Sequence, residues 1–177
     1  MHREVIMAGF GGQGVMTMGK NLVEAGVEEG YEAIWVPSYG PEMRGGTSNC
    51  TVVLSDKRIG SPIVEHPSEL IAMNRPSLAK FVDSVKSGGT IFVNSSTVSE
   101  KVERDDVTTY YVPSDTIAQE LGNVKASNMV MLGAYIGATN AVKVETVEQM
   151  IHHIFAAKEK LIPLNLDALH KGIESVK

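Results

Sequence analysis

The run Gly9-Phe10-Gly11-Gly12-Gln13-Gly14 places four glycines within six residues. Glycine accepts positive φ at little cost and lets another group come close to the main chain. Upstream, Glu4-Val5-Ile6-Met7-Ala8 is a short apolar run of strand type, and downstream Val15 to Glu29 permits a helix. A strand, a glycine turn and a helix start together leave unpaired N–H groups pointing outward, which favours an anion and above all a phosphate. Gly9, Gly11 and Gly14 satisfy the G-x-G-x-x-G spacing of dinucleotide folds. The rest of that pattern is missing. An acid is required about 20 residues on, at the end of the second strand, yet Ala33-Ile34-Trp35-Val36 runs into Pro37-Ser38-Tyr39, and the nearest acid, Glu42, stands in the following loop. Val15-Met16 after Gly14 also fails the phosphate-binding loop with its Lys and Ser or Thr. The competing use of the same glycines is tight packing of strand on helix.

A second constellation spans Ser38 to Ser48, with Tyr39, Glu42, Met43 and Arg44 set among Gly40, Pro41, Gly45 and Gly46. Such a loop is costly to order unless something docks on it. Arg44 can fork onto a carboxylate or phosphate, or pair with a neighbouring acid on the surface, which stabilises little. No nucleophile, base and orienter set stands out, so no catalytic residue is assigned to this chain. His152 and His153 are adjacent on a helical stretch and diverge by about 100°, so they do not chelate as a pair. His66 reads as a loop residue, Asp105-Asp106 as a turn, and Cys50 as a buried small hydrophobe. Ser95-Ser96 suits an anion or, more commonly, a helix cap.

The elements that must position these loops alternate. Strands are expected at Ala33 to Val36, Ser48 to Ser55, Leu70 to Met73, Thr90 to Asn94 and Val107 to Val112, with a hairpin arm at Arg58 to Pro62. Helices are expected at Ser77 to Val85, from a Ser114-Asp115 cap to about Leu121, from a Ser127 cap through Asn128 to Ala141, at Thr146 to Lys160 and, after an interruption at Pro163, at Leu166 to Val176. Gly133 and Gly137 leave room for a second helix or subunit. This alternation predicts a Rossmann-like α/β sandwich, a mainly parallel sheet flanked by helices, as one domain over residues 1–177. Both loops then leave the carboxyl edge of the sheet, where ligands of such folds sit.

With 177 residues, 43% hydrophobic and 21% charged, the composition is that of an ordinary globular chain. The net charge of −5 and the lack of a basic cluster argue against nucleic acid. A single Cys leaves no disulfide framework, iron–sulfur cluster or cysteine-rich metal site within the chain. The most apolar segment, Met129 to Val142, is too short for a membrane span, and Met1-His2-Arg3-Glu4 has no signal-peptide form. A cytoplasmic protein is expected.

Three segments then carry a resemblance: Gly9 to Gly14, Tyr39-Gly40-Pro41-Glu42-Met43-Arg44-Gly45-Gly46, and Asn128-Met129-Val130-Met131-Leu132-Gly133. In order and spacing they resemble the gamma subunit of 2-oxoacid:ferredoxin oxidoreductases, over nearly the whole chain. The resemblance implies an accessory subunit of an enzyme that turns a 2-oxoacid and coenzyme A into acyl-CoA, CO2 and reduced ferredoxin. Thiamine diphosphate with Mg would lie between alpha and beta chains, and the clusters in the beta or a ferredoxin-like chain, with no cofactor held by this chain alone. Gly9, Gly11, Gly12, Gln13, Gly14 and Arg44 would face coenzyme A or a partner. Tyr39, Glu42, Met43, Arg44, Gly45, Gly46 and Asn128 would lie at the interface, with a bare apolar surface over Met129 to Tyr135. The lean among substrates is to 2-oxoglutarate. A free-standing dinucleotide-binding oxidoreductase is the alternative.

Overall fold

The computed structural model describes residues 1–38 and 47–177. Six strands, β1 (His2–Phe10), β2 (Glu32–Ser38), β3 (Thr47–Ser55), β4 (Glu69–Ala72), β5 (Thr90–Asn94) and β6 (Thr108–Val112), form one sheet in the order β2-β3-β1-β4-β5-β6. The pairs β1–β4, β4–β5 and β5–β6 are parallel, whereas β3 is antiparallel to both β1 and β2. All strands except β3 therefore point the same way. The helices are α1 (Val15–Glu28), α2 (Arg75–Phe81), α3 (Ser114–Glu120), α4 (Ser127–Thr139), α5 (Val144–Ile154) and α6 (Ile162–Glu174).

Strand periodicity divides the core in two. Val5 and Met7 of β1, Ile71 of β4 and Phe92 of β5 face a large cluster under α1, α3, α4, α5 and α6. Ile6, Ala8, Leu70, Ala72, Ile91 and Val93 face the other side, under α2 and Val98. Being covered on both faces is why Leu70-Ile71-Ala72 of β4 and Ile91-Phe92-Val93 of β5 are unbroken apolar runs. The expected layered sandwich is present, with most of its helices on one side.

Several local expectations give way to non-local forces. Arg58 to Pro62 forms no strand; the partner strand for β2 is β3 itself. Ser114 and Ser127 do not cap their own helices but bond each other, Oγ to Oγ at 3.0 Å, and Ser127 Oγ also donates to Asp115. The amide of Thr116 in the first turn of α3 is accepted instead by Ser96 Oγ at 3.0 Å, so Ser96 does act as a cap, for a helix distant in sequence. Pro163 starts α6 rather than interrupting it, since an N-terminal turn needs no proline N–H.

The bare apolar surface expected over Met129 to Tyr135 is not there. Met129, Val130, Met131, Leu132, Ala134 and Tyr135 are each at most 3% exposed, and Gly133 is buried. A helix apolar all round is a buried helix, and α6 lies directly on it. A Cβ at Gly133 would stand 2.1 Å from Leu169 O, and one at Gly172 of α6 would stand 1.9 Å from Val130 O. Gly133 and Gly137 thus admit a helix of the same chain. Among the described residues no helix is long and apolar enough to cross a membrane.

At the amino edge of the sheet, Arg3 Nη1 donates to Glu69 Oε1 at 2.5 Å and Nη2 to Thr139 O at 2.7 Å. Ser68 Oγ and the fully buried Tyr135 hydroxyl donate to Glu69 Oε2, at 3.2 and 3.4 Å. The network ties β1, β4 and α4 together. Burial pushes the Glu69 carboxyl above its ordinary 4.5, and Arg3 pulls against that rise without cancelling it. A raised folded pKa means the folded state binds the proton more tightly than the unfolded chain. Stability from this residue is therefore greatest below 4.5 and is lost as pH climbs through the folded pKa. Tm measured across that window should show this downward component in the parent chain, and Glu69→Gln should remove it.

Candidate functional site at the carboxyl edge of the sheet

The glycine turn closes β1 at the carboxyl edge, and its glycines divide the work. Gly9 is a packing glycine: a Cβ there would lie 2.7 Å from Gln13 Oε1, 2.8 Å from Val15 Cγ2 and 2.9 Å from Met73 Cβ. Gly14, at φ +74°, is another, since a Cβ would meet Asn128 Nδ2 at 2.5 Å. Gly11 and Gly12 are exposed, and Gly12 sits at φ +92° with nothing within 4 Å of a Cβ. The first pair holds the turn down on the fold, and the second pair presents bare main chain outward.

Gln13 fixes the shape of the turn. Its Oε1 accepts from Phe10 N at 2.7 Å, its main-chain N donates to Phe10 O at 3.2 Å, and its Nε2 donates to Met73 O at 3.1 Å. Asn128, in the first turn of α4, is a clasp rather than a cap: Nδ2 donates to Gly14 O at 3.3 Å. Gly14 O also accepts from Met18 N at 2.9 Å, the first main-chain bond into α1. The amides of Val15, Met16 and Thr17 precede that bond and so have no partner within the helix. Together with the positive end of a 14-residue helix they give the turn its preference for an anion.

The neighbouring strand ends form a polar lattice that the sequence did not single out. Met73 O accepts from Thr97 Oγ1 at 2.8 Å as well as from Gln13. Asn74 Oδ1 accepts from Ser77 N at 2.9 Å and so caps α2. Asn94, fully buried at the end of β5, donates to Asp115 Oδ1 at 3.1 Å, and Asp115 holds Ser127 at the start of α4. The lattice thus connects β4, β5, α3 and α4 behind the turn. The available signal was an asparagine directly after each of two fully apolar strand runs, at Asn74 and Asn94.

Tyr39, Glu42, Met43, Arg44, Gly45 and Gly46 lie outside the described residues. Their flanks do not: Phe10 is paired with Thr47 and Ser38 with Asn49. Ser38, the end of β2, and Thr47, the start of β3, therefore both stand at the edge that carries the glycine turn, as the strand directions required.

The same topology gives the dinucleotide alternative no support. In that fold the second strand lies parallel beside the first and brings its terminal acid to the glycine turn. Here the neighbour of β1 is β3, which runs the opposite way, and β2 is displaced by a further strand, about 5 Å more.

Cys50 is fully buried, and burial pushes its thiol up to about 11. At neutral pH the folded chain should resist alkylation by a water-soluble thiol reagent, and reaction should follow the unfolding curve in urea. Among the described residues no group of three His, Cys, Asp or Glu side chains could hold a metal ion. A cavity of about 530 Å³ lies between α1 and α5 and is lined by the far half of α1, Val23 to Glu28, away from this edge.

The family model described as "Pyruvate ferredoxin/flavodoxin oxidoreductase" matches residues 4–175. Ketoisovalerate oxidoreductase subunit VorA of Methanothermobacter thermautotrophicus is 44% identical over 96% of this chain, which spans only 35% of that relative's length. The 2-oxoglutarate synthase subunit KorC of Methanothermobacter marburgensis is 39% identical, with 85% of both chains aligned. Among solved structures, the gamma subunit of keto/oxoacid ferredoxin oxidoreductase from Geobacter sulfurreducens superposes with TM-score 0.83 at 29% identity, covering 98% of each chain.

Proposed function

This chain belongs to the pyruvate ferredoxin/flavodoxin oxidoreductase family, and from that premise we propose that it serves as the gamma-type subunit of a 2-oxoacid:ferredoxin oxidoreductase. The assembled enzyme would convert a 2-oxoacid and coenzyme A into acyl-CoA and CO2 and pass two electrons to ferredoxin. The observation that carries the reading is the glycine turn, whose Gly11 and Gly12 face solvent at a helix start on the edge where β2 ends at Ser38 and β3 begins at Thr47. Residues 1–177 act as one such domain.

The chain's own residues do not fit the redox or thiamine chemistry. Its single thiol is buried and protonated at neutral pH, so an iron–sulfur cluster would belong to a beta or ferredoxin-like partner, and thiamine diphosphate with Mg to alpha and beta chains. What the residues do fit is an anion. Val15, Met16 and Thr17 offer amides at the start of α1, Gln13 and Asn128 hold the turn so that these stay aimed outward, and Arg44 supplies a cation. The ligand is a phosphate of coenzyme A, or a carboxylate of the partner where coenzyme A does not reach.

Substrate choice falls to the partner chains. The relatives are named for two different 2-oxoacids, ketoisovalerate at 44% identity and 2-oxoglutarate at 39%, so the lean to 2-oxoglutarate gains nothing from them. Arg44→Ala tests the ligand assignment. In the assembled enzyme it should raise the apparent KM for coenzyme A by about tenfold, the loss of roughly 1.4 kcal/mol, and leave that for the 2-oxoacid unchanged. Full assembly with an unaltered KM for coenzyme A would refute it.

A further inference from the structure

Two side chains hold the glycine turn, and they belong to distant parts of the chain. Gln13 Nε2, within the turn, donates to Met73 O just after β4 at 3.1 Å, and Asn128 Nδ2, in α4, donates to Gly14 O at 3.3 Å. Behind each stands a further hydrogen bond. Asn94 Nδ2, at the end of β5, donates to the same Met73 O at 3.4 Å and to Asp115 Oδ1 at 3.1 Å. Ser127, the residue before Asn128, donates through Oγ to that same Asp115 Oδ1. Both routes end on one oxygen.

Asn94 has no orientation to spare. It is fully buried, its NH2 is spent on Met73 and Asp115, and its Oδ1 accepts from Ser96 N at 3.2 Å. Turned over, the carboxamide would set its oxygen against two acceptors and its NH2 against an N–H, and each mismatch in a buried site is unfavourable. The carboxylate at the other end takes an N–H and an O–H at once, and its charge strengthens both bonds. Asp115 is in turn fixed by its place in the first turn of α3, where Ser96 Oγ accepts from the next amide, Thr116 N, at 3.0 Å.

We propose that Asp115 is the positioning residue of the glycine turn. It acts through Asn94, which keeps Met73 O where Gln13 reaches it, and through Ser127, which keeps the first turn of α4 where Asn128 reaches Gly14 O. Gly14 O also accepts from Met18 N at 2.9 Å, so the direction in which the amides of Val15, Met16 and Thr17 point depends on both routes. The role rests on the reading of the turn as the site facing coenzyme A.

The test joins ¹⁵N relaxation of the full chain to kinetics of the assembled enzyme. In the parent, the amides of Val15, Met16 and Thr17 should have order parameters near about 0.85, and Asp115→Ala should lower them toward about 0.6 while Val52, paired on both sides in β3, keeps its value. The apparent KM for coenzyme A should rise about tenfold, as for a lost hydrogen bond to a charged acceptor, with kcat and the KM for the 2-oxoacid unaltered. Asp115→Asn keeps an oxygen for both donors and should restore most of both effects. Ser127→Ala removes only a hydroxyl and cuts the α4 route, so it should loosen the same amides even where Asp115→Ala folds poorly. Unchanged order parameters at Val15 to Thr17 in these variants would overturn the proposal, and so would equal loosening at Val52. Loosening confined to the turn with an unaltered KM for coenzyme A would uphold the positioning role and overturn the coenzyme A reading instead.

Discussion

Gly172→Ala is expected to destabilise the chain by at least about 3 kcal/mol, the upper range for overpacking. The added Cβ would stand 1.9 Å from Val130 O and 2.8 Å from Ala134 N, both main-chain atoms of α4. A flexible side chain could yield at such a distance, but two helical backbones yield only by separating. Separation opens the contact where Met129 to Ile136 are almost wholly buried. Gly133→Ala attacks the same crossing from the other helix, through a contact of 2.1 Å with Leu169 O, and should cost as much. Because both mutations force the same displacement, the double variant should lose less than the sum. Gly60→Ala, with open space around it, is the control and should leave stability unchanged within about 0.5 kcal/mol. Urea midpoints of the four variants and the parent decide this. A Gly172→Ala midpoint equal to the parent's would mean that α4 and α6 do not cross as described.

Gly12→Asp should have the largest effect on coenzyme A use of any substitution in the described part of the turn. The position is exposed, at φ +92°, and a side chain there meets no atom within 4 Å, so the substitution introduces charge without a clash. Two like charges 4 Å apart repel by about 1 kcal/mol in water and about 4 kcal/mol at an effective dielectric of 20. An apparent KM for coenzyme A raised between about 5-fold and about 700-fold follows for the assembled enzyme. Positive φ strains any side chain, and Gly12→Asn carries the same strain without the charge. The difference between the two variants isolates the electrostatic part. If Asp and Asn raise the KM equally, the turn does not face an anion.

The sequence disclosed those parts of the fold that depend on near neighbours. β1, α1 and β5 were legible because a run of apolar residues, a glycine turn and an amphipathic stretch each state their own conformation. The position of β3 between β2 and β1 was not, since pairing across the Tyr39–Gly46 segment is decided by which sheet edge is free rather than by the residues of β3. Hydroxyl partners were misread for the same reason. Ser127 has the form of a helix cap, yet its Oγ serves Ser114 and Asp115, and Ser96 caps a helix 20 residues away in the chain. Nothing in the sequence singles out Glu69 or Arg3, and only burial under α4 makes them a network. Of the candidate site, the glycine turn and Asn128 are joined by a hydrogen bond, 114 residues apart in sequence. Strand direction alone put Ser38 and Thr47, which flank the Arg44 loop, at the edge of the glycine turn, while the loop itself lies outside the described residues.

The most direct measurement of the central claim is to tag this chain, purify it gently and anaerobically from its native cell, and identify by mass what accompanies it. Thiamine-diphosphate-binding and cluster-binding chains should co-purify, and the complex should reduce ferredoxin only when given a 2-oxoacid and coenzyme A together. Titrating a series of 2-oxoacids in the same preparation would name the substrate. A chain that emerges alone, or a complex that reduces ferredoxin without coenzyme A, would contradict the account.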